Sequence, residues 1–275
     1  GHGAPGEWLS PTQPFPTAPP PLTAQGLTPD DAWGFTFIDR YLCRKRIEAL
    51  RYGPLYTPPG EQGTILMPGF AGGANWGGGA VDPIRKLLLV STLHVAGVAK
   101  LIPRTDDPVL NAAPDGIDTS GIIRFPQLGT PYSVENWLLS SPLGAPCTEP
   151  PWGRLTAVDL EHGTILWQVA LGTLEKMLPV PLPLEMGGPH AGGAMVSAGG
   201  LVFIAASADD RFRAFDVEDG SVLWQTKLPA GGQAIPMTYE VGGRQYVVIA
   251  AGGHALYQTT PGDYVIAYAL PGGSK

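Results

Sequence analysis

Two glycine-flanked stretches carry the side chains best suited to gripping a ligand. The first, Gly72–Pro83, reads GGANWGGGAVDP and packs five glycines around Asn75 and Trp76. Glycine in a regular element costs roughly 0.5–1 kcal/mol of order, so such a cluster answers a backbone requirement. Two requirements fit: turns at positive φ, or close approach of the backbone to something large and flat beside Trp76. The second stretch, AAGGHALYQ, sets His254 behind Gly252 and Gly253, directly after an apolar run. A neutral imidazole there offers a donor, an acceptor and a ring that can stack. The ordinary alternative is a loop histidine satisfied by its own neighbours. His190, in GGPHAGGAMVSAGGLVF, is a weaker third candidate, with Gly192 and Gly193 beside it. Asp82, Asp159 and Asp216 each fall where a hairpin turns. Asp209-Asp210 imitates a metal pair, but ASADDRFRAFD reads as a strand-to-strand turn. No catalytic base and no metal ligand is assigned. Cys43 and Cys147 stand in no CxxC and have no histidine at ligand spacing, which argues against zinc. Pairing with each other and separate burial remain equally open.

The elements that would position these residues are short strands. With 38 Gly and 30 Pro among 275 residues, and no collagen-like period, the composition calls for many turns between strands. From residue 60 onward, GTILMPG, KLLLVST, LTAVDL, TILWQVAL, GLVFIAAS, FRAFDV, SVLWQTKL, QYVVIAAGG and DYVIAYAL are apolar or alternating runs bounded by Gly, Pro and Asp. One hairpin repeats. Ala157-Val-Asp159-Leu-Glu-His-Gly163-Thr-Ile-Leu-Trp167 matches Ala214-Phe-Asp216-Val-Glu-Asp-Gly220-Ser-Val-Leu-Trp224, giving A-x-D-x-x-x-G-x-x-x-W. Asp and Gly make the tight loop, Ala leaves a hollow in one strand, and Trp reaches sideways to a neighbouring sheet. A repeated strand–turn–strand unit is the mark of a propeller. About four blades fit between residues 60 and 270, a fragment of a larger ring.

Upstream, residues 1–27 form an extended Pro-rich segment and residues 28–53 a helix. Thr28 is its expected N-cap, with Pro29 at the first helical position, Asp31 in the capping box, and basic residues before Gly53. Trp33, Phe37 and Tyr41 share a face, and Arg40, Arg44, Lys45 and Arg46 crowd the C-terminal half. Such a helix packs on the rest of the protein with a solvated basic end, or lies against a membrane surface. The net charge of −7, with no basic run, argues against nucleic acid as a partner. No stretch reaches the ~18–20 apolar residues of a membrane span, and no signal peptide opens the chain.

The repeated hairpins resemble the tryptophan-docking motifs of eight-bladed quinoprotein dehydrogenases, which use pyrroloquinoline quinone (PQQ). Further segments are similar to the membrane-bound glucose, quinate and polyol branch: LSPTQPF, YTPPGEQGTILMPG, AKLIPR, LSSPLGAPCTEPPWG, LPAGGQAIPMTYEVGGRQYVVIAAGGHA and GDYVIAYALP. The resemblance covers essentially the whole chain and corresponds to the C-terminal portion of such an enzyme. It implies an all-β fold, a partial quinoprotein β-propeller of about four blades with one N-terminal helix, over residues 54–275 for the blades.

For the site, the resemblance implies that Asn75 contacts PQQ, with Trp76 and the glycines shaping the approach, and that Gly253 and His254 form a second PQQ contact. Asn75 and Trp76 lie in a segment closer to the alcohol dehydrogenases of the wider family, which leaves the substrate open among glucose, quinate and other polyols. The family's catalytic Asp and the ligands of its Ca²⁺ are expected in blades that precede Gly1. The resemblance further implies a periplasmic enzyme at the inner membrane, a sugar or polyol substrate, ubiquinone as electron acceptor, and a missing N-terminal half without which this chain is inactive. The rival reading is a non-catalytic propeller that serves as a protein-binding scaffold.

Overall fold

The computed structural model describes residues 3–106, 116–117, 121–176, 184–255 and 257–271. They divide into two compact units. One comprises Gly1–Pro16, Thr23–Gly73 and His94–Glu149, and the other Thr17–Leu22, Ala74–Leu93 and Pro150–Lys275.

The first unit pairs a helix with a five-stranded antiparallel sheet. The capping residues foreseen at Thr28 close a short 3₁₀ turn, Pro29–Asp31, in which the Asp31 carboxylate accepts from the Thr28 amide (2.8 Å) and hydroxyl (2.6 Å). The α-helix α1 begins later, at Phe37–Glu48, where the Thr36 hydroxyl accepts from the Asp39 amide at 3.1 Å. Gly34 lies between the two, and a Cβ there would sit 2.3 Å from the Arg40 nitrogen. Trp33 is therefore outside the helix whose face it was expected to share.

The sheet runs β1 (Thr64–Leu66), β4 (Gly97–Pro103), β7 (Tyr132–Leu138), β6 (Ile123–Phe125) and β5 (Gly116–Ile117) in spatial order. α1 buries Cys43 and Ile47 against Ile65, Met67, Ala96, Val98 and Leu139. Cys43 and Cys147 are joined in a disulfide across 104 positions of sequence. Both cysteines are fully buried, so pairing and burial, left as alternatives by the sequence, are realised together.

The second unit contains three antiparallel sheets. The first runs β2 (Gly73–Asp82), β3 (Leu87–Leu93), β8 (Gly153–Asp159) and β9 (Thr164–Ala170). The second runs β10 (Met195–Val196), β11 (Leu201–Ile204), β12 (Arg211–Asp216) and β13 (Val222–Lys227). The third has β14 (Met237–Val241), β15 (Arg244–Ala251) and β16 (Tyr264–Tyr268). Every run singled out as a strand in the sequence is one. β2, β4, β5, β6, β7, β10 and β14 were missed; in β2, β4 and β7 glycines, charges and single polar residues break the alternation, and β5, β6 and β10 are only two or three residues long.

The repeated hairpins have the same geometry residue by residue. Ala157 faces Trp167 and Ala214 faces Trp224, each followed at once by a register shift. Gly163 and Gly220 turn at φ of 64° and 74°, a conformation open to glycine at little cost. The Asp159 Oδ1 accepts from the Glu161 amide and the Asp216 Oδ1 from the Glu218 amide, which closes each loop. Trp167 then docks on the next sheet: its Nε1 donates to the Val217 carbonyl at 3.0 Å, and its ring lies where a Cβ on Gly220 would be 2.7 Å away. Trp224 makes the equivalent step by packing edge-on against Tyr268 at 5.3 Å. Between the sheets lie Leu89, Leu155, Val202, Ile204 and Phe215, and then Phe212, Leu228 and Ile249.

Candidate cofactor site

Asn75 and Trp76 sit on β2, the outermost strand of its sheet. Both are exposed, Trp76 at 92% of its surface, and the Asn75 side-chain oxygen accepts from the Trp76 amide at 2.9 Å. Both backbone reasons for the glycine cluster operate. Gly73 and Gly78 have φ of 68° and 60°. At Gly77 the close approach is to another main chain: a Cβ would lie 1.9 Å from the Gly192 carbonyl oxygen, and one on Gly193 would lie 2.0 Å from that of Gly77. Only glycine lets two backbone segments meet this closely, so Gly192 and Gly193, noted in the sequence, lie against Gly77 in this crossing.

From that crossing a row of contacts continues to the second stretch. A Cβ on Gly192 would lie 2.4 Å from the Gln233 carbonyl. The Gln233 side chain accepts from the Thr259 hydroxyl (3.1 Å) and donates towards the Ala206 and Ser207 carbonyls (3.4 and 3.3 Å). Thr259 in turn accepts from the His254 amide at 2.7 Å. The Gly253 amide bonds the Gly231 carbonyl at 2.9 Å, and φ of 78° at Gly253 turns the chain so that His254 follows. The row starts on β2 and continues through loops that flank the strands of the other two sheets. Its His254 member holds a buried Nδ1 with no hydrogen-bond partner among the described residues, beside the Tyr257 ring at 5.1 Å. A buried imidazole nitrogen left unpaired costs free energy that a bound polar group would return.

His190 takes a different part. It is buried, bridges to Ser207 in a short β-contact, and its Nδ1 lies 3.4 Å from the Gly188 carbonyl. Burial pushes its pKa down to about 4, so the ring is neutral and packs the second unit. Asp209 and Asp210 do form the turn after β11, with φ of 54° at Asp210, but both are buried and paired with cations. Asp209 receives Arg213 on both oxygens, together with the Thr173 (3.0 Å) and Arg211 (3.2 Å) amides. Asp210 receives Lys176 and the Thr260 hydroxyl (2.7 Å), with Lys176 also bonding Thr260 at 2.8 Å. This network anchors the segment that carries Thr259, and with it His254. The sequence hid it, since Arg213, Lys176 and Thr260 come from three separate segments, and only the adjacent aspartates were a signal.

Asp82 bonds the Ile84 and Arg85 amides and the Arg85 guanidinium. Burial works to raise its pKa, but these donors win and hold it below the usual carboxylate range. Among the described residues, no three His, Cys, Asp or Glu side chains gather where a metal ion could bind.

With the repeated docking tryptophans and the glycine crossing in place, comparison with known proteins is decisive. The family model for the β-propeller domain of PQQ-dependent glucose, ethanol and alcohol dehydrogenases matches residues 1–247. The chain belongs to this family. Among curated quinoprotein dehydrogenases it is 44% identical to the quinoprotein glucose dehydrogenase of Escherichia coli, over 98% of this chain and 34% of that protein. It is 40% identical to the probable quinate dehydrogenase of Xanthomonas campestris (96% and 34% covered) and 39% identical to the glycerol dehydrogenase large subunit of Gluconobacter oxydans (97% and 38%). The chain thus spans about a third of the length of the quinoprotein relatives it matches. In fold it is similar to the quinohemoprotein alcohol dehydrogenase of Comamonas testosteroni, with a TM-score of 0.50 at 24% identity over 78% of this chain and 28% of that one. The chain is therefore part of a quinoprotein β-propeller, and PQQ is the cofactor this family implies. Two features of the chain suit such a group: the unpaired, buried His254 Nδ1 and the bare face of Trp76.

Proposed function

We propose that this chain is the C-terminal portion of a PQQ-dependent dehydrogenase that oxidises a sugar, a quinate-like alcohol or another polyol, and that it supplies one wall of the cofactor site. The observation that carries the reading is the contact row from Gly77 through Gln233 and Thr259 to His254, which ends at an imidazole nitrogen with no hydrogen-bond partner among the described residues. Bound PQQ would supply the chemistry of accepting two electrons from the alcohol. The chain's own side chains bind and orient. His254 Nδ1 would meet a polar edge of the group, Asn75 would offer its amide, and Trp76 would cover a face.

Thr259 holds the His254 backbone, Gln233 holds Thr259, and the Asp210–Lys176–Thr260 cluster ties down the adjoining loop, so the backbone that carries the imidazole is fixed before any ligand arrives. Removal of the hydroxyl proton and the ligation of Ca²⁺ are assigned to the rest of the longer protein; among the described residues no cluster of three His, Cys, Asp or Glu forms a metal site. The relatives' names, glucose, quinate and glycerol dehydrogenases, support a polyhydroxy substrate. Electrons would pass on to ubiquinone, at the periplasmic face of the inner membrane.

The test is reconstitution. The chain is combined with PQQ, Ca²⁺ and the N-terminal two thirds of a relative, and oxidation of glucose, quinate and glycerol is followed with a dye acceptor and then with a ubiquinone analogue. Activity that needs both parts supports the proposal. Activity of this chain alone contradicts it, and reconstitution of a folded but inactive, non-binding propeller favours a scaffold.

A further inference from the structure

The backbone of His254 is fixed by hydrogen bonds, and its ring is not. The amide donates to the Thr259 hydroxyl at 2.7 Å, and the carbonyl accepts from the Thr259 amide at 3.4 Å. Among the described residues no hydrogen bond reaches either ring nitrogen, and Nδ1 is buried. A histidine ring ordinarily takes its tautomer and orientation from a bond at one nitrogen. Rotation about its outer side-chain torsion is otherwise broad. The orientation of this imidazole must therefore come from packing.

Tyr257 supplies the packing. Its ring centroid lies 5.1 Å from that of His254, with the two planes inclined by 53°, within the range of attractive aromatic pairs. A tight turn brings it there: the Gln258 amide donates to the Ala255 carbonyl at 3.1 Å, and Gln258 itself has φ of 50°. Positive φ is uncommon for a residue with a side chain, and such positions gather at ligand clamps and active sites. Tyr257 is half-buried, and burial pushes the pKa of its phenol up. The hydroxyl takes no hydrogen bond among the described residues. What Tyr257 brings to His254 is thus its ring.

We infer that Tyr257 is a positioning residue, whose ring holds the His254 imidazole in the orientation that keeps Nδ1 available to a ligand. The inference rests on the proposal that His254 meets the cofactor, and it names the side chain that prepares it to do so. Gln233 and Thr259 act on the backbone alone. Without the Tyr257 ring the imidazole would sample several orientations, and affinity would fall in proportion to the fraction correctly placed.

Two measurements on the purified chain test this, in wild type, Tyr257→Phe, Tyr257→Leu and His254→Ala. Proton–carbon spectra of histidine-labelled chain without ligand report on the ring, with His254→Ala assigning the signals. The neighbouring ring current should displace the His254 resonances in wild type and Tyr257→Phe, and Tyr257→Leu should return them towards free imidazole. In titrations with PQQ and Ca²⁺, followed by tryptophan quenching, Tyr257→Leu should weaken binding by about two- to tenfold, the range of an aromatic pair, and Tyr257→Phe should match wild type. An unchanged thermal midpoint in Tyr257→Phe verifies folding. His254 resonances that Tyr257→Leu leaves unmoved overturn the inference. So does Tyr257→Phe binding as weakly as Tyr257→Leu, which gives the role to the hydroxyl. Binding that His254→Ala leaves intact refutes the cofactor reading and the inference with it. Failure of the inference alone looks different: His254→Ala abolishes binding and Tyr257→Leu does not weaken it.

Discussion

Removing the Cys43–Cys147 bond should cost the first unit several kcal/mol, and the size follows from the structure. The bond closes a loop across 104 positions. A crosslink of that span removes about 4.7 kcal/mol of conformational freedom from the unfolded chain at 25 °C in the loop-entropy account. Measured disulfides usually deliver somewhat less, so a loss of about 3–5 kcal/mol is expected for Cys43→Ala with Cys147→Ala. Both sulfurs are fully buried beside Ile47, Met67 and Leu139, so alanine rather than serine is the right replacement: a buried, unpaired hydroxyl would add its own penalty. The assay is urea unfolding at equilibrium under oxidising conditions, followed by the exchange of α1 amides to isolate the first unit. With a slope near 3 kcal/mol/M, the midpoint should fall by about 1–1.7 M. Wild-type chain reduced while unfolded and refolded with reductant should match the double variant to within about 1 kcal/mol. A double variant that loses less than about 1 kcal/mol would refute the reasoning, because the crosslink would then not be what restricts the unfolded chain.

Other expectations concern the second unit. His190 is buried neutral with its pKa lowered to about 4, so the unfolded chain binds the extra proton first; stability should fall as pH drops from about 6.5 towards 4, by up to about 3 kcal/mol, and His190→Gln should flatten that slope in urea titrations across pH. Asp209→Ala strands the buried Arg213 guanidinium and should cost about 3–5 kcal/mol by thermal unfolding, whereas adding Arg213→Met should recover much of the loss. Gly77→Ala drives a methyl into the Gly192 carbonyl and should destabilise by more than about 2 kcal/mol, while Gly78→Ala, with open space but φ of 60°, should cost about 1 kcal/mol. Trp167→Phe loses the bond to the Val217 carbonyl and should cost about 1–2 kcal/mol in the same melts.

Much of the architecture was legible because its signals are local. Ala157, Asp159, Gly163 and Trp167 each answer a need of their own hairpin, and the second copy at Ala214 to Trp224 repeats those needs, so the blade unit could be read from spacing alone. The start of α1 was less legible: Thr28-Pro29-Asp31 is a sound cap, but Gly34 interrupts the helix and Thr36 caps it afresh. β2 was not recognisable as a strand because its reason to be glycine-rich lies more than a hundred residues away, in the Gly192 backbone. The same limit hid Gln233, Thr259 and the paired cations of Asp209 and Asp210, whose partners meet only in three dimensions. Asn75 and His254 stand out beside their glycine neighbours, and their role at a cofactor comes from the family resemblance and is the proposal made above.

The central claim is that the blades of the second unit hold PQQ through Asn75, Trp76 and His254. Its most direct test is titration of the purified chain with PQQ, with and without Ca²⁺, following quenching of tryptophan fluorescence in the wild type, in Trp76→Phe, and in Asn75→Ala with His254→Ala. The account predicts saturable quenching in the wild type, reduced amplitude in Trp76→Phe, and loss of saturation in the double variant while its thermal midpoint is unchanged. Saturable binding that the double variant retains in full would contradict it.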